Sequence, residues 1–392
     1  MREVCMDPEN SKFNREDFEK IDYFKQQSLK NPYRVRRLIE DAIRFDKLDL
    51  TDLVVFTEAA SRNYVVTPII AAMAGAKVYA ITFDSPYGKA KDVEKFTYNF
   101  GEFCGARDKI EIVFEKKKEI VSQANIITNL GFVRPIDNNF VEMMNEKAVI
   151  PYMCEAWEYR EGDVDITACE SKNIPVMATN EDYSGLGIFD FCGNLCVKML
   201  FELEIEVYKS KIVIVSGDKF GKVIEKYLKA IGADVYMIGN LKSEMSRRYL
   251  EDGDALVVAD YTNNDVFVGA ENAQISAKEL VELSRKISVI QFTGDVDIGE
   301  LDKYNIPYFP QKRIGKFRMG MTLAELGPKP VIELHCAGLK VGEVLARAIL
   351  NGKSIEEAKM IALMYSPAQD FCLDKKGSID TRNLPATEML WW

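Results

Sequence analysis

Residues 212–240 read IVIVSGDKFGKVIEKYLKAIGADVYMIGN. A β-branched run, a tight turn holding glycine, an amphipathic stretch at helical spacing and a second apolar run follow one another, so the segment predicts strand, turn, helix and strand. In that layout the helix starts directly beyond a strand, with its amino end outside the sheet. A helix amino end carries unpaired backbone N–H groups and roughly half a positive charge, so it can hold an anion such as a pyrophosphate. The G-x-G-x-x-G spacing that marks such a site is filled here by Ser216, Gly217, Asp218, Lys219, Phe220 and Gly221. Only the last of the expected glycines is in register. Gly217 and Gly221 supply room. Asp218 stands where the middle glycine would, and its carboxylate repels a phosphate unless it turns away to cap the helix. Lys219 and Lys222 offset that repulsion. The competing reading is an ordinary βαβ crossover that binds nothing.

On both sides of this unit the alternation continues. Residues 11–46 carry charged and apolar residues at helical spacing, with Pro32 opening a second helix, and predict an N-terminal helical cover over residues 1–50. From Leu53 onward, LVVFTEA, KVYAIT, IEIVFE, ANIITNLG, AVIPYM and IPVMA alternate with amphipathic helices. Such alternation means a parallel sheet covered on both faces. A helix through FDFCGNLCVKMLFELE leads into the quoted unit, whose sheet continues through DVYMIG, ALVVAD, SVIQFTG and IPYFP. Residues 330–350, PVIELHCAGLKVGEVLARAIL, predict a strand, a loop with the only His of the chain, and a closing helix. The fold class is therefore α/β, with two doubly wound parallel-sheet domains.

At 392 residues with 47% hydrophobic content, the chain can bury two sizeable cores. A net charge of −10, with Lys and Arg mixed among acids throughout, argues against nucleic acid as a partner. No apolar run approaches a membrane span, and the start MREVCMDPENSKFNRED has no signal-peptide core. The expected setting is cytoplasmic, without membrane contact. The eight cysteines lie scattered through apolar segments and form no pair of C-x-x-C knuckles, so reduced thiols are expected. Cys192 and Cys196 are four apart on a predicted helix, yet a single His leaves a zinc site short of ligands. No metal is expected.

Four segments together resemble the D-2-hydroxyacid dehydrogenase and S-adenosylhomocysteine hydrolase superfamily, over about residues 50–350. LGFVRPID looks like the VRS loop of phosphoglycerate-type dehydrogenases, and GDVDITACESKNIPVMATN looks like their DNIDLEAAKERGIPV segment. KIVIVSGDKFGKVIEKYLKAIGADV resembles their KTVGIVGLGNIGRAVAKRLKAFGMKV, and PVIELHCAGLKVGEVLARAI resembles the stretch bearing their catalytic histidine. The resemblance implies a Rossmann cofactor domain, residues 186–324, inserted in a flavodoxin-like substrate domain built from residues 51–185 and 325–392. It also implies a dinucleotide cofactor and an active-site cleft. Ligands of open α/β sheets bind beyond the carboxyl ends of the strands. That rule places Asp260, Tyr261, Thr262, Thr293 and Gly294 beside the cofactor.

His335 is then the candidate acid or base, since imidazole titrates near neutrality and a positioned proton-transfer group is worth about a hundred- to ten-thousandfold in rate. The competing reading is a satisfied structural histidine. The acid that pairs with the histidine in the dehydrogenases has no counterpart, and Glu333, on the same face of the predicted strand, is the candidate substitute. The dehydrogenases' substrate-clamping Arg is also missing from SVIQFTGDVDIGEL, which looks more like the hydrolase loop. Arg134 in the V-R-P loop is the favoured carboxylate clamp, with Arg160 as a second candidate. Glu58, Ser61 and Arg62, after the first strand, are candidate substrate contacts. The strand ending I-G-N-L-K-S carries Asn240, Lys242 and Ser243 where NAD enzymes place an acid, a set better suited to a 2′-phosphate. NADP is the expected cofactor, with NAD the other; the alternative is a Ser243 helix cap followed by solvated charges.

The leading expectation is an NAD(P)-dependent oxidoreductase acting on a small hydroxy, keto or amino acid, working as a homodimer. One alternative is a cofactor-retaining lyase or hydrolase of the S-adenosylhomocysteine hydrolase type. Another is a non-catalytic protein that binds NAD(P) or S-adenosylmethionine.

Overall fold

Short Val-, Ile- and Ala-rich runs separated by amphipathic helices can bury both faces only in a parallel sheet flanked by helices. The computed structural model, which describes residues 15–160, 162–315 and 318–371, has this arrangement in two units: residues up to Leu186 together with those from Val331, and Gly187–Pro330.

In the first unit α1 (Arg15–Gln26) and α2 (Pro32–Phe45) precede β1 (Val54–Glu58), α3 (Val66–Met73), β2 (Lys77–Ile81), α4 (Ala90–Cys104) and β3 (Ile110–Val113). Then come α5 (Lys118–Val121), β4 (Ile126–Ile127), α6 (Asn138–Met143), β5 (Ile150–Tyr152), α7 (Ile166–Ser171) and β6 (Val176–Thr179). Pro32 opens α2 behind its Asn31 cap, as its fixed φ and missing N–H favour. The strands lie in the order β3-β2-β1-β4, and a parallel bridge between Ile126 and Val149 continues the sheet toward β5 and β6. This is the 3-2-1-4-5-6 doubly wound order, not the 2-1-3-4-5 order of flavodoxin. The flavodoxin-like expectation is corrected in that respect, while the doubly wound α/β class stands. Chain direction across the sheet reverses between β1 and β4, and a buried cluster including Phe56, Ile127, Phe140 and Tyr152 fills one face.

The second unit holds α8 (Phe191–Phe201), β7 (Lys211–Val215), α9 (Lys219–Ile231), β8 (Asp234–Ile238), α10 (Glu244–Asp252) and β9 (Ala255–Ala259). It continues through β10 (Val266–Gly269), β11 (Ile275–Ser276), α11 (Ala277–Leu283), β12 (Ser288–Thr293), β13 (Asp295–Val296), α12 (Ile298–Lys303) and β14 (Tyr308–Phe309). Its five-stranded sheet has the order β14-β12-β9-β7-β8, all parallel, so the switch point lies between β7 and β9. The small sheet β11-β10-β13 has no counterpart in the sequence pattern; its strands are too short for periodicity to show.

The chain returns to the first unit through α13 (Pro328–Leu350), α14 (Ile355–Tyr365) and β15 (Ala368–Gln369), which pairs antiparallel with β6. The predicted strand and loop around His335 are corrected here: Pro328–Leu350 is one continuous helix. Its prolines occupy the first turn, where no intrahelical donor is lost. From Val331 the less buried positions 333, 334, 340, 344 and 347 recur at helical spacing. Gly338 and Gly342, which suggest a loop in the sequence, serve close packing instead. A Cβ on Gly338 would lie 2.6 Å from Met153 Sδ, and one on Gly342 would lie 2.8 Å from Ile126 Cγ2, so the helix lies directly on the ends of β4 and β5.

Cys104, Cys169, Cys192, Cys196 and Cys336 are buried free thiols; Cys5 and Cys372 lie outside the described residues. Among the described residues, no cluster of His, Cys, Asp and Glu is arranged to hold a metal ion. No described helix is long and apolar enough to cross a membrane.

Candidate functional site

At the switch point of the second unit, the β7–α9 turn is shaped by the residues that depart from the glycine fingerprint. Asp218 is the N-cap of α9: its Oδ1 accepts from Phe220 N at 2.9 Å and its Oδ2 accepts from Tyr261 N at 2.7 Å. The carboxylate thus turns away to cap, satisfying two backbone donors. Burial raises its pKa, opposed by these two amides. A second carboxylate mirrors it. Asp260 Oδ2 accepts from Gly217 N at 2.8 Å, and Asp260 Oδ1 accepts from Asn263 N at 3.1 Å and from the Thr262 hydroxyl at 3.3 Å. The turn after β7 and the turn after β9 are therefore laced together by two crossed aspartates.

Gly221 performs the role of the third glycine, since a Cβ there would lie 2.3 Å from Ser216 Cβ; only glycine lets α9 approach its strand so closely. Gly217 is exposed, while Ser216 is buried beneath the turn. Phe220, expected beside a ligand, is instead a core residue. It is buried among Phe189, Tyr261 and Phe292, and this aromatic packing anchors the first turn of α9. The Lys219 ammonium lies 3.4 Å from the centre of the Phe189 ring.

The neighbouring strand end carries unmet hydrogen-bonding capacity. Thr293 Oγ1 and Gln291 Oε1 are buried without a partner, while Gln291 Nε2 donates to Gly294 O at 2.7 Å. Two positions apart on β12, these side chains share one face. Buried polar atoms without partners are rare and point to a missing partner such as a ligand. Gly294, with φ of 93°, would carry a Cβ only 3.0 Å from Asp260 O. Glycine is thus required where the β12 and β9 turns meet. Asp297, a further nicotinamide candidate, caps α12 through Gly299 N and Glu300 N.

The segment after β8 takes the capping alternative. Ser243 caps α10 by accepting from Ser246 N at 3.1 Å, and Asn240 Oδ1 accepts from Lys242 N at 3.0 Å. Lys242 pairs with Asp265 at 3.2 Å on the surface, Arg247 with Glu279, and Arg248 with Glu244. Exposed pairs of this kind contribute little and rearrange readily.

A dinucleotide fits this unit in part. The open Gly217, the close Gly221–Ser216 packing and the orphaned atoms of Thr293 and Gln291 suit a nucleotide laid across the switch point. Asp218 and Asp260 occupy the amides of Gly217, Phe220 and Tyr261 that a pyrophosphate would otherwise draw on.

In the first unit, the switch point between β1 and β4 holds a buried carboxyl. Glu58 ends β1, is 6% exposed, and its Oε2 accepts from Phe132 N at 3.1 Å. Gly131 makes room for it: a Cβ there would stand 2.8 Å from Glu58 Oε2. Burial pushes its pKa up to about 7, against the Phe132 amide and the positive charge of Arg134. Beside it, Thr57 and Thr128 share a hydrogen bond of 2.8 Å across the two strands, and Asn129 Oδ1 accepts from Met153 N at 2.7 Å. Arg134 Nη1 donates to Asp163 Oδ2 at 2.8 Å, leaving the guanidinium partly exposed. Lys116 Nζ donates to the carbonyls of Val133, Arg134 and Pro135 and fixes the V-R-P loop from below. Arg62, exposed, takes a φ of 55° just past the end of β1, and Ser61 precedes it. Arg160 lies three residues before Asp163, and its backbone carbonyl accepts that residue's N–H.

His335 and Glu333 are placed differently from the expectation. His335 is buried in α13, its Nδ1 2.6 Å from Thr67 Oγ1 of α3, with the Tyr64 ring 6.2 Å away. Burial pushes its pKa down to about 4, so the ring is neutral at neutral pH. Two positions apart on a helix rather than a strand, Glu333 and His335 point about 200° apart. The shared-face pairing is therefore corrected.

Sequence reasoning misses Gly131, Phe132, Asp163 and Lys116. The V-R-P loop carries a signal for their neighbourhood, but their convergence on Glu58 and Arg134 depends on strand order.

The fold and its switch points define a doubly wound α/β protein with two sheet units. No family model matches the chain, and no curated protein matches it. Solved structures do. The chain is similar to a dipicolinate synthase from Bacillus halodurans at 12% identity, covering 77% of this chain and 99% of that one, with a TM-score of 0.45. It is similar to the pyruvate reductase of Chlamydomonas reinhardtii at 12% identity, covering 79% and 99%, with a TM-score of 0.42. A 3-phosphoglycerate dehydrogenase of Entamoeba histolytica with bound NAD+ is similar at 13% identity, covering 77% and 97%, with a TM-score of 0.39.

Proposed function

We propose that this chain is an NAD(P)-dependent oxidoreductase acting on a small hydroxy, keto or amino acid, with NADP as the preferred cofactor. The observation that carries the reading is the β7/β9 switch point, where exposed Gly217, tightly packed Gly221 and the orphaned Thr293 and Gln291 atoms lie along adjacent strand ends. When bound, the nicotinamide supplies or accepts a hydride. The chain's own residues hold and orient: Gly217 and the exposed Lys222 at the amino end of α9, Lys242 toward a 2′-phosphate, and Arg134 toward the substrate carboxylate.

Calorimetric titration tests this. NADPH should bind with a Kd on the order of micromolar, more tightly than NADH, and Lys242→Glu should weaken NADPH more than NADH. Equal losses for both would remove the 2′-phosphate assignment. No binding of either below about millimolar would end the oxidoreductase reading.

One observation favours a second reading, a binding protein for a nucleoside ligand without a pyrophosphate, such as S-adenosylmethionine. Asp218 and Asp260 already hold the amides of Gly217, Phe220 and Tyr261, and ribose hydroxyls can donate to carboxylates that phosphates avoid. S-adenosylmethionine binding without NADPH binding would select it.

We further propose a homodimer. Phe201, Tyr208 and Ile231 of the second unit are exposed large apolar residues, of the kind that marks association surfaces. Light scattering should give twice the chain mass; a monomer would contradict the dimer.

A further inference from the structure

The carboxyl end of a parallel sheet at its switch point is where a ligand meets protein groups in open α/β folds. In the first unit that place is held by Glu58, which is nearly sealed from solvent and fixed by one backbone amide. A glutamate normally avoids such a position, because desolvating a carboxylate is costly without a full set of partners. The packing here admits the carboxyl deliberately. Gly131 has no side chain where one would strike Glu58 Oε2, and Lys116 holds the following loop so that Phe132 N faces the same oxygen.

The charged group acting on Glu58 is Arg134, whose guanidinium is itself oriented by Asp163 on its other side. One carboxyl poised between its two protonation states and one partly exposed guanidinium thus share a strand end. His335, the chain's only imidazole, offers no equivalent. It is neutral, buried and engaged with Thr67.

We propose that Glu58, and not His335, is the group that exchanges a proton with the substrate, while Arg134 holds the substrate's carboxylate. This rests on the oxidoreductase reading for the identity of the reaction, and on the first unit alone for the residue. In the oxidising direction the substrate's O–H bond breaks, the electron pair stays on the substrate oxygen, and the proton forms the O–H bond of the Glu58 carboxyl. In the reducing direction the same proton returns. A raised carboxyl pKa suits this task, because a general base works best when its pKa lies near the working pH.

The test uses oxamate, a small carboxylate probe anionic throughout the range, titrated calorimetrically into the full chain between about pH 6 and about pH 8. Ionised Glu58 repels an anion held at Arg134, so oxamate should bind at least about fivefold more weakly at the upper pH. Glu58→Gln, which keeps an acceptor for Phe132 N, should remove that dependence, and Arg134→Gln should weaken binding at every pH. Glu58→Asp, which keeps the acid, should restore a pH dependence, and thermal unfolding checks that each variant is folded. An unchanged pH dependence in Glu58→Gln, its disappearance in His335→Gln instead, or no oxamate binding to the parent at any pH would overturn the assignment. Because oxamate binding needs no dinucleotide, a chain that binds oxamate as described but no NAD(P)H would sink the oxidoreductase reading and leave the Glu58–Arg134 site standing.

Discussion

Two buried titratable residues of the first unit are shifted in opposite senses, and the consequence is measurable without a substrate. Glu58 has a folded pKa raised from 4.5 to about 7. Its contribution to stability is present below the unfolded value and is lost as pH rises through the folded one. His335 has a folded pKa lowered from 6.5 to about 4. Its contribution is present above the unfolded value and is lost as pH falls toward the folded one. Each shift corresponds to about 3 kcal/mol at most, and over the shared window the two slopes oppose each other. Glu58→Gln should therefore gain stability relative to the parent as pH rises from about 4.5 to about 7. His335→Gln should gain relative to the parent as pH falls from about 6.5 to about 4. Denaturant unfolding across that range checks both, and parallel stability–pH curves for parent and variant would show that the side chain is not titrating as described. Neither shift is legible in the sequence. Glu58 reads there as a surface contact after a strand, and what buries it, Gly131 and Phe132, is more than seventy residues away. His335 reads as an exposed loop residue because the glycines that follow it signal a loop.

At the scale of elements, the βαβ unit around β7 is legible because each local signal agrees: a β-branched strand, a glycine turn, an amphipathic helix with Gly232 as its left-handed cap. Helix α13 is not, because its two glycines have a tertiary rather than a local cause. Gly338 and Gly342 are where the helix touches the strand ends, and in a helix interior glycine costs roughly 1 kcal/mol of propensity. The same logic holds in α8, where a Cβ on Gly193 would stand 2.2 Å from the Tyr227 ring of α9. Gly193→Ala and Gly342→Ala should each therefore destabilise the chain, by about 1–3 kcal/mol, despite the better helix propensity of alanine. Equilibrium unfolding provides the number, and a neutral or stabilising effect at either position would show that the close packing is absent in solution. The short strands β10, β11 and β13 are hidden for a different reason. Strands of two to four residues carry too few alternations to be told from loop.

For the whole molecule, the alternation of strand and helix determines the α/β class from sequence alone, and the doubly wound plan follows from it. The strand order does not, since 3-2-1-4 and 2-1-3-4 windings share one sequence pattern. That order matters, because it puts Glu58 and Asn129 at one switch point and Gly217 and Asp260 at the other. The cofactor site is legible only in outline. The sequence shows Asp218 in the place of a glycine, but only the fold shows it crossed with Asp260.

A nucleotide at the β7/β9 switch point is the central claim, and hydrogen exchange read by mass spectrometry with and without saturating NADPH tests it most directly. The account predicts added protection confined in the second unit to residues 216–222, 260–262 and 291–294. Unchanged exchange in those three segments, with or without protection elsewhere, would contradict it.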